Sequence, residues 1–113
     1  MKHYRVRLAE DAKQDLIDIY RYIAFHDSVE KAAYVLDQLE SLCARLTELP
    51  ERGHIPLELD RIGVARYREI HFKPYRVIYE VTKQEVFIHC VIDGRRDMQS
   101  LLERRLTRPP AMR

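Results

Sequence analysis

The 113-residue sequence has no apolar run approaching the roughly 20 residues that a membrane-spanning helix needs. Its first ten residues, MKHYRVRLAE, also lack the apolar centre of a secretory signal peptide. Hydrophobic residues make up 46% of the chain and charged residues 34%, a balance typical of globular proteins rather than of disordered chains. We therefore expect one folded domain over residues 1–106, located in the cytoplasm and without a membrane partner.

Cysteine is scarce as well, since Cys43 and Cys90 are isolated from each other and lie within apolar patterns. A cytoplasmic chain keeps such thiols reduced, so both are predicted to be small core residues rather than the halves of a disulfide. The sequence predicts neither a metal site nor a cofactor.

The net charge is only +2, which argues against the strong uniform field of a protein that coats nucleic acid. The charge is nevertheless uneven. Between Gly94 and Arg113 six arginines accompany only two acidic residues, so this end is more basic than the chain as a whole. We expect an exposed basic surface that contacts an acidic target, formed by Arg95, Arg96, Arg104 and Arg105.

The N-terminal quarter is predicted to be a strand followed by a helix. Apolar and polar residues alternate from His3 to Leu8, which is the pattern of a half-buried strand. From Ala9 the apolar residues recur at helical spacing to about Phe25. A strand therefore gives way directly to an amphipathic helix.

A second helical stripe continues to Leu49 and consists largely of leucines that should lie in the core. Asp27 and Glu30 have the spacing of a capping box at its start, and Pro50 and Gly53 end it. Because the link between the two helices is so short, they should form an antiparallel hairpin.

The C-terminal half is predicted to be a loop, three strands and a short helix. Residues 51–63 have no clear period and form the loop. Lys73-Pro74 and residues 83–85 separate the strands, which should form an antiparallel meander. The predicted strands and the helix are Ala65–Phe72, Arg76–Thr82, Val86–Asp93 and Met98–Leu106. Residues 107–113 are expected to be a frayed tail.

Two strands of the meander indicate what packs on the sheet. One face of the third strand is apolar and should lie under the helix hairpin, while Ile78 interrupts an otherwise polar opposite face. The fourth strand is apolar on both faces, with residues 86, 88, 90 and 92 on one side, which is typical of a central strand. The first strand or the C-terminal segment should cover the second side.

Several phrases, in this order, resemble the ParE/RelE superfamily of bacterial toxins. They are LAEDAKQDLIDIYRYIA, ELPERG, REIHFKPYRVIYEV and the final GRRD of VIDGRRD. The resemblance covers nearly the whole chain and favours the ParE branch. It implies an α+β fold of order β-α-α-β-β-β with a short C-terminal helix, in which an antiparallel sheet packs against an N-terminal helix hairpin.

The superfamily contains two activities. RelE-type members cut messenger RNA in the ribosomal decoding site, whereas ParE-type members poison DNA gyrase and have no known catalytic chemistry of their own. A metal-free ribonuclease needs a base, an acid and cations around one phosphate. If this chain were such an enzyme, the resemblance would make Arg76 and Arg96 its phosphate-stabilising residues, and Arg68 or a histidine would act with them.

The rest of the ribonuclease set is missing. Residues 67–70 read YREI where RelE-like enzymes have a lysine pair, and Leu101-Leu102 stand where those enzymes have a tyrosine. We therefore expect no catalytic residues and favour a gyrase inhibitor that traps the enzyme on cleaved DNA. The alternative is a ribosome-dependent messenger ribonuclease. A chain that only binds its antitoxin is the remaining possibility.

The resemblance implies a ParD-like antitoxin as a second partner, besides DNA gyrase or, in the alternative, the ribosome. A chain this small cannot bury all its apolar surface, so an amphipathic helix of the antitoxin should lie along the helix hairpin. We expect it to contact Tyr20, Ile23, Tyr34 and Leu39.

Simpler roles compete for the same side chains. Arg76 could be a surface arginine paired with Glu69 or Glu80. The GRRD arginines could form an ion pair with Asp97, which would also cap the last helix. His71 and His89 could form an acid–base pair if their strands flank the third strand.

Overall fold

The computed structural model describes residues 3–106, so the predicted tail lies outside the described residues. Within this range the elements confirm the predicted order. They are β1 (Arg5–Leu8), α1 (Glu10–His26), α2 (Val29–Ala44), α3 (Leu57–Asp60), β2 (Tyr67–Phe72), β3 (Tyr75–Val81), β4 (Glu85–Asp93) and α4 (Met98–Leu106). The sequence pattern did not predict α3, a single turn inside the long loop. Between residues 3 and 106, no helix has the length and apolarity needed to cross a bilayer.

The sheet has the strand order β1-β4-β3-β2. The β2–β3–β4 meander is antiparallel as predicted, and β4 lies in the interior of the sheet. β1 pairs with β4 in parallel, with Arg5 opposite Glu85 and Leu8 opposite Ile88, so the sheet is mixed. The predicted antiparallel arrangement is therefore right for three strands only. Side chains alternate in the same way in both strand directions, so the sequence pattern could not reveal the difference.

The start of α2 lies one residue beyond the predicted capping box. Ser28 is the N-cap, and its Oγ accepts a hydrogen bond from the Lys31 N–H at 3.0 Å. Asp27 instead ends α1, and its N–H donates to the carbonyl of Ile23. The helix also ends early, at Ala44, where a 3-10 turn follows.

Helices cover both faces of the sheet and so create two cores. The α1–α2 hairpin packs on the predicted face of β3, where Val77 and Tyr79 are fully buried. On the opposite face α4 covers Ile78, which explains the apolar residue in a polar series. Cys43 lies in the first core and Cys90 in the second, and these two buried thiols form no disulfide, as predicted.

A β-bulge in β4 changes which residues share a face. Ile78 pairs with Cys90 but Tyr79 pairs with Ile88, so one extra residue, His89, lies between them. As a result Ile88 packs with the hairpin, whereas Cys90 packs with α4. The predicted common face of residues 86, 88, 90 and 92 is therefore wrong, because strict alternation cannot anticipate a bulge.

Leu39 tests the core beneath the hairpin. Its side chain is fully buried, so Leu39→Ala leaves a cavity and should lower the free energy of unfolding by about 2–5 kcal/mol. Leu49→Ala is the matched control because that leucine is exposed, and it should change stability by less than about 0.5 kcal/mol. Equal urea midpoints for the two variants would contradict the packing described here.

Candidate functional site

Arg76 lies in a half-buried cluster of ion pairs on the α4 side of the sheet. Its guanidinium donates to Glu58 at 2.7 and 2.9 Å and to Glu69 at 2.6 and 2.9 Å. The predicted pairing with Glu69 is confirmed, while Glu80 contacts His89 instead. The predicted surface position is wrong, since 15% of the Arg76 side chain is accessible. These four contacts use all but one of its N–H donors.

Glu58 is the member of this cluster that the sequence did not reveal. It lies on α3, whose turn is fixed by the buried Leu59 and by the Pro56 carbonyl, which accepts from the Asp60 N–H at 2.9 Å. Hydrogen bonding to Arg76 holds the pKa of Glu58 below its usual value, against an opposing effect of burial. No local pattern indicates this pair because the residues lie 18 positions apart.

Gly94, the first residue of the GRRD phrase, has a packing role beside Arg76. A Cβ at this position would lie 2.7 Å from Cδ of Arg76 and 3.0 Å from the Pro74 carbonyl oxygen. The Gly94 N–H donates to that carbonyl at 2.7 Å. Any larger residue would therefore displace the arginine or open the end of the β3–β4 pair.

The three arginines considered for ribonuclease chemistry do not converge. Arg68 is in register with Tyr79, on the hairpin side of the sheet, and donates to the Gly53 carbonyl at 2.6 Å. Arg76 and Tyr79 lie three positions apart on β3, and side chains alternate between the two faces along a strand. Arg76 therefore projects from the opposite face. Arg96 is exposed beyond the end of β4. One phosphate therefore cannot contact all three.

The histidines also have partners other than those predicted. His71 Nε2 lies 3.1 Å from Glu69, whereas His89 Nε2 lies 3.1 Å from Glu80, so the two do not form an acid–base pair. His54, from the loop, approaches Glu69 from its other side at 3.3 Å. Among residues 3–106, His54, Glu69 and His71 are the set whose side chains could share a metal ion.

The GRRD segment joins β4 to α4, as predicted, but its ion pair has a different acidic partner. Arg95 binds Asp93 through Nη2 at 2.6 Å and Nε at 2.9 Å, rather than Asp97. This arginine lowers the pKa of Asp93. Asp97 caps α4 as predicted, because its Oδ1 accepts from the Ser100 N–H at 3.2 Å. Arg95 and Arg96 are both exposed.

Arg105 and Arg104 have different surroundings. Arg104 is exposed, but 18% of the Arg105 side chain is accessible, because Arg105 turns toward α1. Its Nη2 donates to Asp15 at 3.0 Å, and Asp15 also accepts from the Val91 N–H at 2.9 Å. Burial raises the pKa of Asp15 in spite of these bonds. The prediction that Arg105 is an exposed target contact is therefore wrong on position, since its charge is paired inside the fold.

The four residues predicted to contact the antitoxin also differ in exposure. Tyr34 is exposed and Tyr20 is partly buried, so both present surface to a partner. Leu39 is fully buried and Ile23 nearly so, because they lie on the inner side of the hairpin. Those two residues support the surface and do not offer contact area.

An apolar groove of about 570 Å³ runs along the outer side of the hairpin. Tyr20, one of the predicted antitoxin contacts, lines it, but the sequence did not predict most of its apolar lining. Charged side chains form its rim. The lining residues are Leu8, Lys13, Leu16, Ile17, Tyr20, Arg21, Leu36 and Glu40.

Two solved structures share this fold. A chain of the chromosomal ParDE toxin–antitoxin system of P. aeruginosa matches with a TM-score of 0.68 and 17% identity, covering 80% of this chain and 96% of that chain. A chain of the toxin–antitoxin complex RelBE2 of Mycobacterium tuberculosis matches with a TM-score of 0.60 and 21% identity, covering 80% and 98%. The architecture is thus the RelE/ParE-like α+β fold that the resemblance implied.

Comparisons of the sequence with known proteins identify the family within this fold class. The chain is 29% identical over 98 residues to toxin ParE3 of Caulobacter vibrioides, covering 87% of this chain and 94% of that protein. Residues 6–98 match the family described as the ParE toxin of the type II toxin–antitoxin system parDE. The chain belongs to this family of ParE toxins.

The lowered pKa of Glu58 predicts acid sensitivity. A carboxyl whose pKa is depressed by folding stabilises the protein above its unfolded value, near 4.5, and loses this contribution as the pH falls through the folded value. Glu58→Gln should cost about 1.5–3 kcal/mol at neutral pH. The difference from the parent should shrink below pH 4.5.

The control for this measurement is Glu48→Gln, at an exposed position. In urea titrations between neutral and acidic pH, the free energy of unfolding of that variant should stay within about 0.5 kcal/mol of the parent. If Glu58→Gln has the same free energy of unfolding as the parent at every pH, the Arg76–Glu58 pair contributes nothing to stability.

Proposed function

We propose that this protein inhibits DNA gyrase and is neutralised by a cognate ParD-like antitoxin. The observation that carries the proposal is the match of residues 6–98 to the ParE toxin family. The geometry supports it against the ribonuclease alternative. Two carboxylates bind four of the five N–H donors of Arg76, and Arg68 lies on the other face, so a phosphate would have to displace the ion pairs.

The apolar groove on the hairpin is the proposed seat of the antitoxin. In this groove Ile17 is exposed and Tyr20 is only partly buried, which leaves apolar area for a partner to cover. An amphipathic helix docks in such a groove through apolar residues at helical spacing. Lys13, Arg21 and Glu40 on the rim would set its register through charge pairs.

The proposed gyrase contact uses the exposed part of the basic end. Arg96 and Arg104 are both exposed, and their charges help to lower the pKa values of Asp93 and Asp97. Arg95 is exposed but shares its charge with Asp93, and Arg105 is committed to Asp15. We therefore assign the target contact mainly to Arg96 and Arg104, with Arg95 as a secondary residue.

Ile17 tests the antitoxin groove. Ile17→Asp places a carboxylate on apolar surface that the partner must desolvate, so affinity for the antitoxin should fall by at least about tenfold. Ile62→Asp is the matched control, since both isoleucines are 43% exposed but Ile62 lies outside the groove. Calorimetric titration of both variants with the co-encoded antitoxin measures the difference. Equal losses would remove the groove as the docking surface.

The basic end is tested by Arg96→Ala together with Arg104→Ala. Loss of two exposed charges should leave folding within about 0.5 kcal/mol of the parent. Accumulation of cleaved DNA in a gyrase assay should require several-fold more protein. The control variant, Arg45→Ala with Arg52→Ala, removes the same charge from other exposed positions and should act like the parent.

Three outcomes bear on this assignment. If the parent produces no cleaved DNA at saturation, the gyrase proposal is wrong. If both double variants weaken equally, the effect is one of net charge and not of a specific surface. Codon-phased cuts in translated transcripts, seen by primer extension, would favour the ribonuclease alternative instead.

A further inference from the structure

The His54, Glu69 and His71 side chains meet at a place that the proposed toxin function does not use. The backbone brings them together. His54 and Glu69 form an antiparallel bridge, with the Glu69 N–H donating to His54 at 2.7 Å and the His54 N–H donating to Glu69 at 3.2 Å. Partners that exchange both bonds lie directly opposite each other, so their side chains share a face. His71 is two residues along β2 and shares that face too.

The loop that carries His54 is held in place independently of the histidine ring. The Gly53 N–H donates to the Tyr79 hydroxyl at 3.1 Å, and Arg68 binds the Gly53 carbonyl. A Cβ on Gly53 would clash with the Glu69 carbonyl oxygen, so only glycine permits this close approach. The position of His54 is therefore set by the backbone.

We propose that His54, Glu69 and His71 bind one divalent transition-metal ion of the zinc type. The ligand atoms would be the Nε2 atoms of the two histidines and the carboxylate oxygens of Glu69. These three groups lie within 4.8 Å of one another, and the two Nε2 atoms lie 3.1 and 3.3 Å from the carboxylate. Ligands about 2.0–2.2 Å from a tetrahedral zinc ion stand about 3.3 Å apart, which matches these separations.

Arg76 opposes the binding of a cation here, because its positively charged guanidinium already binds both oxygens of Glu69. Two features offset it. Glu58 neutralises Arg76, so Arg76, Glu58 and Glu69 together carry one negative charge. Each carboxylate oxygen also has a second lone pair, which now faces a histidine nitrogen. Arg76 then acts as the outer partner that orients a metal-binding carboxylate.

Imidazole nitrogens with one carboxylate oxygen suit zinc, cobalt, nickel and iron more than magnesium or calcium. Both imidazoles are exposed, so an ion would keep a position open to water or to a group from a partner. The two isolated cysteines gave no sign of a metal site, because the candidate ligands are two histidines and a glutamate that only the fold brings together. The bound ion would tie the loop to β2.

The test is a calorimetric titration of the untagged full-length chain with Zn²⁺. We expect one ion per chain. His54→Gln and His71→Gln should each lower the affinity by more than the roughly 10- to 100-fold that loss of an outer partner costs. His89→Gln is the matched control, because its Nε2 lies 3.1 Å from Glu80, the same separation as in the His71–Glu69 pair, without a second histidine. That variant should bind like the parent.

A second readout separates binding at this site from loss of the fold. At a free Zn²⁺ concentration about 100 times Kd, the Tm of the parent and of His89→Gln should rise by roughly 10 °C. His54→Gln and His71→Gln should keep the metal-free Tm and show no such rise. Less than one ion bound per chain, equal affinity in all four proteins, or an equal loss in the His89 variant would each overturn the proposal.

Discussion

A buried carboxylate, that of Glu69, is the constraint on which the α4 side of this fold depends. An unpaired charge at so buried a position would be strongly unfavourable, so the surrounding chain has to supply donors. Arg76 does so from the neighbouring strand, and its remaining donors require a second acid, which α3 provides through Glu58. The loop is thereby drawn onto the sheet. Across residues 3–106, every buried side-chain nitrogen and oxygen has a hydrogen-bond partner.

A second polar connection performs a similar task at β4. Asp15 of α1 accepts from the backbone of β4 and from Arg105 of α4, so one carboxylate joins elements from both faces. The apolar cores alone would allow α4 to slide along the sheet, because burial of apolar area has no direction. Hydrogen bonds with defined geometry fix its position. The helix that carries the proposed target contact is therefore held against the helix that lines the proposed antitoxin groove.

The sequence predicted most of the fold because its strands and helices have clear periods. The alternation before Leu8 and the helical stripe after Ala9 identified β1 and α1 to within a few residues. The predictions that failed concern features that depend on tertiary contacts. The direction of β1, the bulge at His89 and the pairing of Arg105 with Asp15 leave no local pattern. The N-cap of α2 was predicted one residue early, because Asp27 and Ser28 can both cap a helix and Asp27 instead ends α1.

The predictions of site residues also held or failed according to whether tertiary contacts decide the exposure of the residue. Tyr20 and Tyr34 were predicted as surface contacts and do present surface, whereas Leu39, on the leucine stripe of α2, is fully buried. Burial of a given turn depends on what packs against it, which a single sequence does not state. Glu58 and His54 were missed because both lie in a loop without a period, and only the folded chain brings them to Glu69 and Arg76.

The parallel pairing of β1 with β4 has a consequence for synthesis of the protein. Arg5 to Leu8 leave the ribosome long before their partners, residues 85–88, and Asp15 leaves it long before Arg105. Contacts so distant in sequence form late, after the loop-closure entropy between them has been overcome. The sheet cannot close while its central strand is still inside the ribosomal tunnel. The N-terminal hairpin can form earlier, so a nascent chain would present α1 and α2 to a partner before the rest of the toxin exists.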